Sequence, residues 1–191
     1  MALSGFEVFH ELEQVHLGMR VSELRRVRPQ IVTAPHSGAR ETVGGDTVWY
    51  FLDKPSDRQP DRGRDQLEQL SRSRVVGAAI TRRAPSAASA DSLAEDWVSR
   101  LGTPSGCFLY HYGDVSNEVA VFEEAGRTVY ITKRPPNRVT HSGGTLELPS
   151  AVQLLISAPD SRAVPRAPRS ERVDCALLFA SARNDTARAT R

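Results

Sequence analysis

A chain of 191 residues with 39% hydrophobic and 25% charged side chains has the balance of a globular protein, with room for one large domain or two small ones. The formal net charge of +2 gives no electrostatic case for nucleic acid. Of the 25 basic residues only Lys54 and Lys133 are lysines, a skew that reads as coding bias and not as a phosphate-binding cluster.

No run approaches the ~20 apolar residues of a membrane span. Met1 to Phe9 has neither the basic start nor the long apolar core of a signal peptide. Two locations stay open: the cytoplasm, or the cell envelope for a mature segment with an added Met. Cys107 and Cys175 form no CxxC, which excludes a zinc ribbon or a thioredoxin-like motif. Two buried thiols are the expected state, with one disulfide as the alternative.

Taken in chain order, residues 1–18 fit either a short helix or a strand. Val21, Leu24 and Val27 recur every third residue and predict a short helix that Pro29 ends. Glu41–Val43 and Thr47–Leu52 flank Gly44-Gly45-Asp46, a hairpin signature. Residues 53–65 hold two prolines and alternating charges, a solvated loop. Arg74–Thr81 predicts a third strand, and 84–90 a linker of small residues. Ser92-Leu-Ala-Glu95 is a capping box opening a helix with Leu93, Ala94, Trp97, Val98 and Leu101 on one face. Gly102 and Pro104 end it.

Beyond the helix, Cys107–Tyr112 predicts a strand. Glu118–Glu124 and Arg127–Thr132 form a hairpin about Ala125-Gly126, and one more strand lies within Thr145–Ala158. From 159 to 172 three prolines and four arginines predict an extended linker. Cys175–Phe179 is an unassigned apolar island, and 181–191 is a polar tail.

Helix-then-strands therefore occurs twice, at an offset of 74 residues between Leu24 and Val98. The expected fold class is α+β: an antiparallel sheet with helices on one face, in two tandem units. These span 1–83 and 91–158, joined by a linker at 84–90 and followed by a linker and tail at 159–191.

Catalytic and metal-binding patterns are missing from the sequence. None of His10, His16, His36, His111 and His141 has a metal-ligand spacing. Cys107 and His111 share a strand face but stand ~13 Å apart. Glu123 and Glu124 are neighbours on a strand and point to opposite faces. Gly44-Gly45 and Gly143-Gly144 match no phosphate loop, and there is no G-x-S-x-G elbow. No catalytic residue, metal or cofactor is expected.

Strand-borne aromatics point instead to a surface that binds another protein. Tyr50, Tyr110 and Tyr112 are the candidate anchors on an open sheet face, with Arg127 and Arg134 to make charge-assisted contacts. The alternatives are a small-ligand carrier or sensor, or an enzyme of unrecognised type.

Leu17-Gly18-Met19 before the first helix, together with Thr47-Val48-Trp49-Tyr50-Phe51, resembles the SmpA/OmlA (BamE-like) family of small envelope lipoprotein domains. Trp97-Val-Ser-Arg-Leu-Gly-Thr-Pro104 resembles the same helix exit, and two such units look like the tandem layout of the β-lactamase inhibitor protein family. The likeness covers roughly 17–132. Within it, Arg20 stands at the usual Ser or Thr cap, and Arg28-Pro29 lacks the family's glycine. The resemblance implies a curved antiparallel sheet with helices on one side that holds another protein. Membrane association follows only where a lipid anchor has been removed from this segment.

Overall fold

The structure is a computed structural model that describes residues 9–34, 38–53, 70–112, 115–124, 126–141, 144–158 and 170–178. The predicted loop beyond Asp53, His36, the stretch 159–169 and the tail from Phe179 lie outside these residues.

A 3-10 turn at His10–Leu12 comes first, then α1 (Val21–Val27), β1 (Val32–Ala34), β2 (Gly38–Val43), β3 (Asp46–Leu52) and β4 (Val75–Arg83). Next are α2 (Ala87–Leu101), β5 (Gly106–Tyr112), β6 (Val115–Glu124), β7 (Arg127–Arg134), β8 (Asn137–His141), β9 (Gly144–Leu148), β10 (Ala151–Ser157) and β11 (Ser170–Val173). A final 3-10 turn spans Cys175–Leu177. Nine strands form one sheet in the order β1-β2-β3-β4-β10-β7-β6-β5-β11, and β8 and β9 form a separate pair.

This corrects the expected α+β class. The protein is dominated by a large, mostly antiparallel sheet, with only two α-helices among the described residues. The shortfall came from strands hidden in unpromising sequence. Asn137–His141 follows two prolines and has no element predicted for it, and Ser170–Arg172 lies after three prolines in the predicted linker, yet both segments pair as strands.

By contacts the chain divides into two units that are discontinuous in sequence. One takes Met1–Ile80, Ala125–Thr128 and Leu155–Pro165; the other takes Thr81–Glu124, Val129–Leu154 and Arg166–Arg191. In the first unit, α1 buries Val21 and Leu24 completely, and β3 alternates buried Val48, Tyr50 and Leu52 with half-buried Thr47, Trp49 and Phe51. The β2–β3 hairpin turns at Gly44 and Gly45, whose φ values of 58° and 93° are both positive. Two positive φ values are what a two-residue hairpin turn matched to strand twist requires.

In the second unit α2 begins at Ala87, not at Ser92. Ser86 is its N-cap, its hydroxyl oxygen accepting from the Ser89 backbone N–H at 3.1 Å. The small-residue stretch taken for a linker is thus the first turn of the helix, consistent with alanine being the best helix former. Ala90, Asp91, Ala94 and Trp97 form its buried side, and Gly102, at φ 91°, ends it.

The far end of the chain departs most from expectation. Cys107 and Cys175 form a disulfide instead of two thiols. β11 pairs antiparallel with β5 from Ser170 opposite Tyr110 to Val173 opposite Cys107. Leu178 is buried. The linker reading therefore fails for 170–172, and the unassigned island proves to be a 3-10 turn at Cys175–Leu177 tied to β5.

Candidate interaction surfaces

Each unit has a sheet face turned toward its helix, and charged contacts identify it. In the first unit Arg28, the residue closing α1, places its guanidinium Nε 3.6 Å from the Glu41 carboxylate of β2. The same carboxylate accepts the Tyr50 hydroxyl at 2.5 Å. Arg28 also donates to the backbone carbonyls of Glu11 and Glu13, both at 2.9 Å, tying the N-terminal segment to the helix end. Burial pushes the Tyr50 phenol well above its ordinary range; its bond to Glu41 and the negative charge there add to the rise.

The other face of β1-β2-β3 follows from register. Val32 stands opposite Arg40, and Arg40 opposite Trp49, so the three form one cross-strand row. Val32 is 52% exposed, Arg40 is exposed and Trp49 is half-buried. The Arg40 guanidinium lies 5.6 Å from the Trp49 ring centroid, a cation–π pair. Phe51, two residues from Trp49, shares this face and is also half-buried.

In the second unit α2 meets β7 through Lys133. Its ammonium forms ion pairs with Asp91 of α2 and, at 2.6 Å, with Glu118 of β6. The side chains are 9%, 7% and 17% exposed, in the order Lys133, Asp91, Glu118. Trp97 packs on the same helix with the Arg82 guanidinium 5.5 Å from its ring. Val129, Ile131 and Lys133 alternate as the buried side of β7. Tyr130, Thr132 and Arg134 therefore belong to the opposite face. Register adds Phe108 opposite Val119 and Tyr110 opposite Asn117 to that face. Phe108, Tyr110, Val119 and Tyr130 are half-buried, and Arg134 is exposed.

The expected anchors separate on this framework. Tyr50 is fully buried, which removes it from any exposed surface; its hydroxyl is used inside the protein by Glu41. Tyr110 lies half-buried on the face away from α2, and Arg134 belongs to the same face. Tyr112 pairs with Val115, and its side chain lies outside the described residues. Arg127 is half-buried, belongs to the first unit and has the strand parity of Val129, so it does not join Tyr110 and Arg134.

The sequence reading missed Val32, Arg40 and Trp49 as surface residues. The available signal was strand parity: Trp49 and Tyr50 cannot face the same way, and exchanging them exchanges the candidates.

Two further features bear on function. The β8–β9 pair carries exposed Leu146 and Leu148 on one face and an Arg138–Glu147 ion pair, at 2.5 Å, on the other. The His111 ring and the Ser116 hydroxyl are 2.8 Å apart as facing residues of β5 and β6, a cross-strand hydrogen bond at the hairpin end. Among the described residues no group of three or more His, Cys, Asp or Glu could hold a metal ion, and no helix is long and apolar enough to cross a membrane. No family model, no curated protein and no solved structure matches the chain.

Proposed function

We propose that this chain is a non-catalytic binding module that captures another protein on the face of β1-β2-β3 opposite α1. The observation that carries this reading is the row Val32–Arg40–Trp49, with Phe51 beside it. Aromatic and arginine side chains dominate binding energy at protein interfaces, and here a tryptophan is held in place by an arginine on a rigid hairpin. Tyr110 and Arg134 of the second unit are a separate candidate set. Against an enzyme reading, two withdrawn charge clusters are paired internally: Glu41 with Arg28 and Tyr50, and Lys133 with Asp91 and Glu118.

The Cys107–Cys175 disulfide supports an oxidising compartment, since such bonds persist in envelopes and outside cells and are rare in the cytosol. The likeness of residues 17–24 and 47–51 to envelope lipoprotein domains supports the same location.

The test is quantitative affinity capture from extracts of the source cells, followed by binding measurements with the purified partner. Arg40→Ala/Trp49→Ala should lose the protein that the native chain enriches, with a cooperative thermal transition retained. Equal capture by both chains would refute the assignment of this face.

A further inference from the structure

We propose that β11 and the turn after it form a redox-released edge strand, latched onto β5 by the Cys107–Cys175 disulfide. β11 is the last strand of the nine-stranded sheet, paired over only four residues. Ser170, Glu171 and Arg172 are exposed and Val173 is half-buried, so the strand buries little apolar surface of its own. The turn that follows is exposed at Ala176 and Leu177, the latter 74%, and buries Leu178. A short end strand with few buried apolar contacts belongs to the low-stability end of a fold. Besides the short ladder with β5 and Leu178, what retains it is the covalent link from Cys175 to Cys107 on the strand it covers.

The two cysteines differ in exposure, which sets the order of the chemistry. Cys107 is 1% exposed, whereas Cys175 is half-buried. A thiolate of a dithiol reductant attacks the Cys175 sulfur, forming a mixed disulfide as the Cys107–Cys175 bond breaks. Cys107 leaves as thiolate and takes up a proton. The second thiol of the reductant then closes the reductant's own disulfide and frees Cys175, which is protonated in turn. Two electrons and two protons pass to the protein.

Release changes what the sheet shows at this end. In the oxidised form the edge is a four-residue strand bearing Glu171 and Arg172, and charges on a short edge strand oppose pairing with other chains. In the reduced form the edge is β5, a seven-residue strand including Cys107, Phe108 and Leu109.

Hydrogen exchange on the full chain, before and after dithiothreitol, tests the latch, with Cys175→Ser as a form that needs no reductant. Reduction should accelerate exchange by about tenfold or more at Ser170–Val173 and at the β5 amides paired with them, while β2–β3 and α2 keep their protection. Cys175→Ser should show the same pattern without reductant. Unchanged exchange in both would overturn the proposal. So would loss of protection throughout the chain, because the disulfide would then be a staple for the fold and not a latch on one strand.

Discussion

Replacing Lys133 with Met gives the most direct test of how the second unit is held together. The ammonium lies between Asp91 and Glu118, and all three side chains are largely withdrawn from water. Met keeps most of the aliphatic volume and removes the charge, leaving two carboxylates near each other without the cation. Removing one partner of a buried ion pair costs about 3–5 kcal/mol, against a total stability of about 5–15 kcal/mol for a domain. Asp91 should account for the larger share. It is 7% exposed and fixed in the first half of α2, whereas Glu118, at 17%, can turn partly toward water. Urea unfolding followed by circular dichroism should show a lower midpoint with an unchanged slope. Lys133→Met/Asp91→Leu should recover much of the loss, since replacing a buried ion pair by apolar groups is often neutral. A single-variant cost below about 1 kcal/mol would mean the cluster behaves as a hydrated surface pair. A double variant no better than the single would mean the stranded Asp91 is not the cause.

Tyr50→Phe should cost about 1.5–3 kcal/mol, because Glu41 loses a charge-assisted hydrogen bond in a buried setting; urea midpoints read this. The folded-state Tyr50 phenol titrates above its unfolded value, so its contribution is complete below pH ~10 and is lost as pH rises beyond that. Native protein should therefore lose stability with alkali more steeply than Tyr50→Phe, and absorbance at alkaline pH should show Tyr50 ionising only on unfolding. Gly38→Ala should destabilise by at least the ~1–3 kcal/mol of an overpacked core, measured by thermal melting. An added Cβ would lie 2.5 Å from Leu52 Cγ, on a backbone with φ 111°. Trp97→Ala should cost about 3–5 kcal/mol by the same melting assay, as its side chain is 1% exposed on the buried side of α2.

Local turn and cap chemistry was readable in the sequence. Gly44-Gly45 marked the first hairpin and Gly102 the end of α2, because each needs a backbone conformation that other residues resist. Strands with unbroken β-branched and aromatic runs, β3 and β7 among them, were likewise visible. What failed required knowledge of distant partners. β11 becomes a strand because β5 offers an edge and Cys107 a sulfur 68 residues away, and neither is encoded in Ser-Glu-Arg-Val. The start of α2 was missed for a nearer reason: Ser92 and Glu95 made a plausible cap, and the true one at Ser86 opens a run of small residues that also suits a linker.

The face assignment of β3 failed because its pattern is symmetric. Trp49, Tyr50 and Phe51 are all aromatic, and the facing strand has Arg40 and Glu41 side by side, so only the Thr42–Thr47 pair at the turn end marks the outer side. The structure resolves the ambiguity by burying a charge. Glu41 goes inward because Arg28 and Tyr50 meet it there, and this sends Arg40 and Trp49 outward. A sheet built for stability alone could bury the tryptophan and expose the glutamate. The opposite arrangement buries a polar cluster and leaves a half-buried tryptophan, stacked by arginine, on the outer side. The consequence is measurable. Trp49→Thr keeps a strand-forming residue and should cost about 1–2 kcal/mol, the worth of a half-buried ring and its cation–π pair. Glu41→Gln should cost more, although it alters no surface side chain. If Trp49→Thr proves the more destabilising, this face is packing material, and the binding site must be sought elsewhere on the molecule.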